Sequence, residues 1–152
     1  MGLATPSQAA VWAWGCTGSA GGKQIAFNRQ KLLLATTRKP LGRLDAIVQG
    51  GDFSAAKEVG PADAYLPQDD NGGLAPKMTY VHESDKARTI VLTEMSSRRT
   101  GHSDTVVHGC RSEIIERFTK TYRVEMPGQP AQTASFACMD YQLTTRSGRT
   151  CR

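Results

Sequence analysis

Four residues of types that bind transition metals fall within one short stretch of the sequence: His102, Asp104, His108 and Cys110. Imidazole and thiolate groups are ligands that suit zinc and copper. The stretch lacks the paired spacings of a zinc finger or a helical zinc site, so it would have to fold back on itself to hold an ion. We keep His102 and His108 as candidate metal ligands, and the alternative is a polar loop that happens to carry histidines.

No catalytic motif is complete in this sequence. His102, Ser103 and Asp104 are the residue types of a hydrolase triad, but they are chain neighbours, and a triad needs groups that converge from separate points of a fold. We therefore predict no catalytic residue from a motif. An enzyme would need a site assembled from distant strands, for example His82 or His108 with Glu94 or Asp140.

Two polar segments are candidates for ligand recognition. Residues 52–76 are rich in proline and glycine and predict a long irregular connection, which on a rigid scaffold is a usual place for binding residues. Residues 96–104 are polar and basic and are interpreted as a loop that attracts anions. The candidate ligand-binding residues are Asp63, Asp69 and Asp70 in the first segment and Arg98 and Arg99 in the second.

The four cysteines, Cys16, Cys110, Cys138 and Cys151, are widely separated and form no Cys-x-x-Cys pair. An even number at scattered positions favours two disulfides in an extracytoplasmic protein. Three connectivities are possible, and the sequence does not choose among them. Free thiols in a cytosolic protein are the alternative.

Residues 1–10 are small and weakly apolar and contain Ser7-x-Ala9, a pattern of small residues typical of signal-peptide cleavage. We interpret them as the end of a signal peptide or as a flexible N-terminus, and residues 11–152 as a single β domain. Together with the cysteines, this predicts a periplasmic or secreted protein. No stretch approaches the ~20 apolar residues of a transmembrane helix.

Alternating apolar residues predict strands along most of the chain. In residues 11–17, Trp12, Trp14 and Cys16 share one face, as in a core strand. Further strands are predicted at residues 24–27, 32–35, 77–82 and 88–95. The strongest hairpin joins residues 118–126 to residues 133–145 across a turn that contains Pro127 and Gly128.

Helical spacing is restricted to two short segments. Leu41, Leu44, Ile47 and Val48 recur at the spacing of a helix, and residues 112–118 are compatible with one or two helical turns. The predicted fold is mostly β: a single antiparallel β-barrel or sandwich of about seven or eight short strands, with one or two short helices and a long irregular loop.

The order of a Trp14-x-Cys16 strand, a meander and a closing strand with Cys138 resembles small periplasmic barrels such as lysozyme inhibitors. The resemblance implies an exported barrel. None of the diagnostic motifs of those proteins is matched, so no residue role is carried over.

The chain of 152 residues fits one domain and carries a formal net charge of +5. The sequence favours a non-enzymatic binding module that uses loops of a disulfide-tied β scaffold. The alternatives are a basic envelope-interaction or structural protein that contacts anionic polymers and, after it, a metal-binding protein or an unrecognised hydrolase.

The expected partner is an unknown protein or small ligand of the cell envelope. We expect no cofactor and no nucleic acid, because most aromatics lie on predicted core faces rather than beside the basic residues. A monomer or a homodimer is expected.

Overall fold

The structure, a computed structural model, describes residues 8–38, 41–49, 62–68, 76–108 and 111–146. These residues form eight strands and one short helix. The strands are β1 (Gln8–Ala20), β2 (Lys23–Asn28), β3 (Leu32–Ala35), β4 (Ala62–Pro67), β5 (Lys77–His82), β6 (Thr89–His108), β7 (Arg111–Glu125) and β8 (Gln132–Arg146), and the helix α1 is Leu44–Gln49.

Each strand pairs antiparallel with the next one along the chain, and β8 pairs with β1, so the sheet closes into a barrel. The prediction of a mostly β fold, a single antiparallel barrel or sandwich of about seven or eight strands, is confirmed. Closure gives every strand two neighbours over the height of the barrel, which removes the unpaired sheet edges that favour aggregation.

The turn between β1 and β2 shows how short hairpins set this order. Gly21 and Gly22 have φ values of 59° and 75°. A two-residue hairpin turn with positive φ at both positions matches the right-handed twist of the strands, and glycine adopts it without strain. The amide of Gly21 also donates to the side-chain oxygen of Gln132 at 3.0 Å, which ties the turn to the start of β8.

The interior of the barrel is organised around one aromatic ring. Phe27, which is fully buried, makes edge-to-face contacts with Trp14, Tyr80, Tyr122 and Phe136, at centroid distances of 5.5–6.1 Å. These partners come from β1, β5, β7 and β8, so a single side chain contacts strands on several sides of the barrel. Aromatic pairs in this geometry stabilise by roughly 0.5–1.5 kcal/mol beyond the area that they bury.

Helix α1 packs against the outer surface of the barrel. A side chain at Gly15 would meet Val48 at 3.1 Å and Ile47 at 3.2 Å, so glycine allows the close approach of the helix to β1. The buried amide of Asn28 donates to the carbonyl of Ile47 at 2.9 Å, which fixes the helix end to the β2–β3 turn. The predicted helix over 41–48 is therefore present as a shorter element.

Cys16 and Cys138 form a disulfide between β1 and β8, where they are directly opposite each other with their Cα atoms 4.1 Å apart. The prediction that cysteines are bridged is confirmed for this pair. Cys110 and Cys151 lie outside the described residues, so a second disulfide stays a prediction.

The strands differ in length, and the barrel therefore has an extended side. Strands β2 to β5 have four to six residues, whereas β1, β6, β7 and β8 have 13 to 20. Beyond the last pairs with β2 and β5, residues 8–14, 94–108, 111–121 and 139–146 continue as a four-stranded sheet. We call this sheet the extension, the barrel end that carries it the extended end, and the opposite end the short end.

Three segments differ from the sequence predictions. The irregular connection over 52–76 contains strand β4, residues 96–104 belong to β6 rather than to a loop, and residues 112–118 belong to β7 rather than to a helix. Register shifts between Glu94 and Ser96 and between Arg99 and Gly101 interrupt the two-residue alternation of side chains along β6. The sequence pattern therefore does not predict a continuous strand here. In β7, pairing with strands on both sides overrides the helical spacing of Ile114, Ile115 and Phe118.

Strand β1 also begins earlier than predicted, because residues 8–10 pair with β8. The predicted end of a signal peptide falls mostly on residues 1–7, outside the described part. No helix among the residues that the structure describes has the length and apolar character needed to cross a membrane.

We expect Phe27→Ala to lower the free energy of unfolding by about 3–5 kcal/mol, because it removes a ring contacted from four other strands and leaves a cavity. Denaturant unfolding measures this change. The matched control is Leu66→Ala on the outer face of β4, where the side chain is 45% exposed and the expected change is within about 0.5 kcal/mol. Equal losses in the two variants would contradict the central position assigned to Phe27.

Candidate functional site

The inner face of the extension continues the inner surface of the barrel. Side chains alternate along each strand, so the register places charged and aromatic residues on this face. They are Trp12 and Trp14 from β1, Glu94, Arg99, His102 and Asp104 from β6, Glu116, Phe118 and Lys120 from β7, and Asp140 from β8.

A cavity of about 220 Å³ opens where the extension meets the barrel interior. We call it the indole cavity, because both tryptophans of the chain line it. Its other lining residues are Gly15, Cys16, Pro76, Glu94, Lys120, Tyr122, Cys138 and Asp140. The volume is below the range of about 300–1,000 Å³ that is usual for drug-sized ligands, which points to a smaller one.

Lys120 lies in the wall of the indole cavity and is held by two interactions. Its ammonium group donates to Glu94 Oε1 at 2.7 Å, and it lies over the ring of Phe118 at 5.3 Å from the centroid. Both charged side chains are about a quarter exposed, so the pair is partly shielded from water. The positive charge of the cavity is thus already matched by a carboxylate.

Asp140 also lines the indole cavity, but its carboxylate, unlike the ammonium group of Lys120, has no ion-pair partner in the described part of the chain. Within the described residues it forms no hydrogen bond and no ion pair. The residue opposite it on β7 is Glu116, and like charges at directly opposed positions of a sheet are destabilising. Burial, then the charges of Glu116 and Glu94, raise the pKa of Asp140, although Lys120 acts in the other direction.

Tyr122 supplies a polar group at the floor of the indole cavity. Burial, assisted by the carboxylates of Glu94 and Asp140, raises the pKa of its hydroxyl, which therefore stays neutral over the ordinary pH range. No residue in the described part of the chain is hydrogen-bonded to this hydroxyl. It can therefore donate a hydrogen bond to a ligand in the cavity.

Above the cavity, Glu116 is shared by two basic side chains of β6. Arg99 Nη1 lies 3.6 Å from Glu116 Oε2, and His102 Nδ1 lies 3.8 Å from Glu116 Oε1. The carboxylate of Glu116 is therefore paired with basic side chains of β6.

A second cavity of about 230 Å³ lies on the other side of the two tryptophans. It is lined by Trp12, Ala13, Trp14, Asn28, Arg29, Gln30 and Val48. The two cavities share the indoles, because residues 8–14 of β1 extend past the end of β2. Trp12 and Trp14 therefore line both cavities.

At the short end, Asp63 takes part in a compact ionic cluster. It lies 3.4 Å from His82 Nε2 and accepts from Arg88 at 3.2 Å. The amide of Ser84 donates to His82 Nδ1, so the proton of the neutral ring lies on Nε2 and faces Asp63. Partial burial acts to raise the pKa of Asp63, but the hydrogen bonds from His82 and Arg88 outweigh it, and the pKa is lowered. This carboxylate is matched by its neighbours and serves the structure.

The residues predicted for ligand binding do not converge on one place. Asp63 lies at the short end, whereas Arg98 and Arg99 lie on the extension, where the register points them to its outer and inner face respectively. Asp69 and Asp70 lie outside the described residues. Of the members of this set that the structure describes, Arg99 alone belongs to the inner face of the extension near the cavity.

The metal-site prediction depended on a segment that folds back, and residues 102–108 instead run along one extended strand. At roughly 3.3 Å per residue, this extension separates His102 from His108 by about 20 Å. No group of three potential ligands is brought together within the described residues. The side chain of His108 and the whole of Cys110 lie outside that part, so a site formed with them stays a prediction.

Two of the residues that form the cavity can be recognised from the alternation of residues in the sequence. Lys120 falls on the same alternating face as Phe118 and Tyr122, and Asp140 falls on the face of Phe136 and Cys138. Where one face of a strand is otherwise apolar, a charged residue on that face indicates either the end of the hydrophobic core or a functional site. The hypothesis of an enzyme assembled from distant strands named Glu94 and Asp140, which do meet here, but His82 is at the other end of the barrel.

Known proteins do not supply a function for this cavity. Comparison of the chain with protein-family models, with curated proteins and with solved structures finds no match. The function is therefore inferred from the geometry and charge of the site.

Because the fold raises the pKa of Asp140 above its value in the unfolded chain, the ionised carboxylate lowers stability at neutral pH. We expect Asp140→Asn to raise the free energy of unfolding at neutral pH. The gain should shrink as the pH falls and vanish below the ordinary aspartate pKa of 3.8, where the wild-type carboxyl is also neutral. Urea unfolding across this pH range measures the difference.

Glu83→Gln is the control, because it makes the same change of charge at an exposed position of the short end. It should leave the difference from wild type small at every pH. Lower stability of Asp140→Asn at neutral pH would contradict the cost assigned to the carboxylate.

Proposed function

We propose that this protein is an exported, non-enzymatic binding protein that holds a small ligand in the indole cavity at the extended end of its barrel. One observation carries the proposal: both tryptophans line a cavity that also contains a carboxylate and a hydroxyl group, neither of which has a hydrogen-bond partner among the described residues. Ligand sites combine aromatic walls with a few convergent polar groups, and the mouth of a β-barrel is a usual place for them.

The energetics of the cavity support a binding role. An ion pair offsets part of the desolvation cost of its charges, whereas a partly buried carboxylate opposite another carboxylate costs stability. Asp140 and Glu116 have this relation across β8 and β7. Local costs of this kind are commonly retained where a ligand relieves them.

Export to the periplasm or secretion is supported by the Cys16–Cys138 disulfide. Disulfides persist in oxidising compartments and are rare in the cytosol. In this setting the bridge holds the first and last strands of the barrel together next to the cavity, and the ligand belongs to the cell envelope or to the medium around it.

A second candidate function, contact with anionic polymers, is favoured by the outer face of the extension. Arg98 and Arg117 lie there on adjacent strands, both exposed, and neither forms an ion pair with a described residue. Their positions face away from the indole cavity, so the two functions are compatible.

The test of the binding function uses N-phenylnaphthylamine, an uncharged aromatic probe whose emission rises in apolar surroundings. We expect saturable binding with quenching of tryptophan emission, since both indoles of the chain line the cavity. Trp12→Ala should weaken binding about tenfold, which corresponds to the loss of one aromatic wall. Trp12→Phe should retain most of the affinity.

Leu66→Ala is the control, because Leu66 is an exposed apolar residue on the outer face of the barrel, away from the cavity. Circular dichroism checks that each variant is folded. Binding that Trp12→Ala leaves unchanged, or that Leu66→Ala reduces instead, would place the probe elsewhere and refute the proposal.

For the second candidate, Arg98→Gln and Arg117→Gln should each lower the salt concentration at which heparin releases the protein, because counterion-linked contacts weaken when a cation is removed. Arg43→Gln, which removes an exposed cation paired with Asp45, is the control. Equal effects of the three substitutions would show a dependence on net charge alone and would remove the special role of the outer face.

A further inference from the structure

We propose that the indole cavity selects small organic cations, an ammonium or guanidinium group joined to an apolar body, over neutral and anionic molecules of the same shape. The inference rests on the proposed binding function and specifies its ligand class. It is carried by the distribution of charges on the inner face of the extension and by the aromatic walls of the cavity.

The inner face of the extension carries more negative than positive side chains. Among the described side chains of the inner face, two cations, Arg99 and Lys120, stand against four carboxylates, listed here from β6 to β8: Glu94, Asp104, Glu116 and Asp140. The whole chain has the opposite sign, with a net charge of +5. The negative inner face is therefore a local property of the site, and a cavity of one sign raises the local concentration of ligands of the other.

The two cations of this face are each paired with a carboxylate. Lys120 is matched by Glu94 at 2.7 Å, and Arg99 is matched by Glu116 at 3.6 Å. Both cations therefore already face a carboxylate of this surface. Asp140, which lines the cavity itself, has no ion-pair partner in the described part of the chain and is the carboxylate that an entering cation would meet.

The two tryptophans lie next to Asp140 in the wall of the cavity. Trp14 is directly opposite Asp140 on the neighbouring strand, and Trp12 lines the same cavity. An indole face attracts a cation electrostatically, by about 0.5–2 kcal/mol according to how far the cation is desolvated. A carboxylate beside such a face provides both the charge and the apolar surface that an organic cation requires.

The cavity wall already contains one example of this chemistry. The ammonium of Lys120 lies over the ring of Phe118 at 5.3 Å while it donates to the carboxylate of Glu94. A ligand ammonium between Asp140 and the indoles would repeat this arrangement one strand away. The neutral hydroxyl of Tyr122 remains as a hydrogen-bond donor to a polar substituent of the ligand.

The experiment compares three molecules that share a compact body of three methyl groups. They are choline, its uncharged isostere in which a carbon atom replaces the quaternary nitrogen, and tert-butylacetate. The last of these is the carboxylate anion of tert-butylacetic acid (3,3-dimethylbutanoate). Calorimetric titration at constant ionic strength measures their affinities, and tryptophan emission reports occupancy of the cavity. We expect choline to bind about tenfold or more tightly than the isostere and tert-butylacetate to bind least.

Three variants test the assignment to Asp140. Asp140→Asn should abolish the preference for choline, and Asp140→Glu should restore it in part, because the charge is retained. Glu83→Gln changes the net charge equally at the short end and should keep the preference. A merely structural role of Asp140 would change the stability of these variants without changing the order of the three ligands.

The outcomes separate this inference from the proposed function. If choline fails to bind, if the isostere or the anion binds as tightly, or if Asp140→Asn keeps the preference, cation selection is refuted. If N-phenylnaphthylamine still binds in a Trp12-dependent manner, the cavity remains a binding site for uncharged ligands. If that binding is also absent, both proposals fail.

Discussion

The pairing of β1 with β8 is the constraint on which the rest of the structure depends. It joins the first and last described strands in one ladder, from Gln8 opposite Arg146 to Gly18 opposite Phe136. Without this ladder the eight strands would form an open meander with two free edges, and Phe27 would lose its contact with Phe136, the aromatic partner that β8 contributes. The Cys16–Cys138 disulfide lies within the ladder and holds its register. The same register places Trp14 beside Asp140, so the cavity depends on the pairing that closes the barrel.

The unequal strand lengths determine where the cavity lies. Because β2 and β5 end early, the neighbouring strands β1 and β6 continue with one partner each, and the extension rises from one side of the barrel. Its inner face is continuous with the core but is open to water, so charged side chains are tolerated there that a closed interior would exclude. The indole cavity forms at this transition, where aromatic residues of the core meet Lys120 and Asp140.

The two ends of the barrel shift the pKa of a carboxyl group in opposite directions. At the short end, Asp63 is hydrogen-bonded by His82 and Arg88, which lowers the pKa of its carboxyl group and makes the ionised form a stabilising one. At the extended end, Asp140 faces Glu116, and burial raises the pKa of its carboxyl group, so the ionised form is a cost. A completed ion pair needs no ligand, whereas an uncompensated carboxylate among indoles gains from one. This contrast distinguishes the structural cluster from the candidate site.

The sequence by itself determined the mostly β class, the shared face of Trp12, Trp14 and Cys16 in β1, the strands on both sides of residues 28–31, and the hairpin across residues 127–130, because these features depend on neighbouring residues and the two-residue period of a strand. It did not reveal strand β4 or the length of β6, whose bulges break that period. Nor did it choose the partner of Cys16 or bring Trp14, Glu94, Lys120 and Asp140 to one cavity. Those relations depend on register between strands that are far apart in the chain. A shift of one residue would exchange the inner and outer faces, and only the closed barrel, with its core packed around Phe27, decides that register.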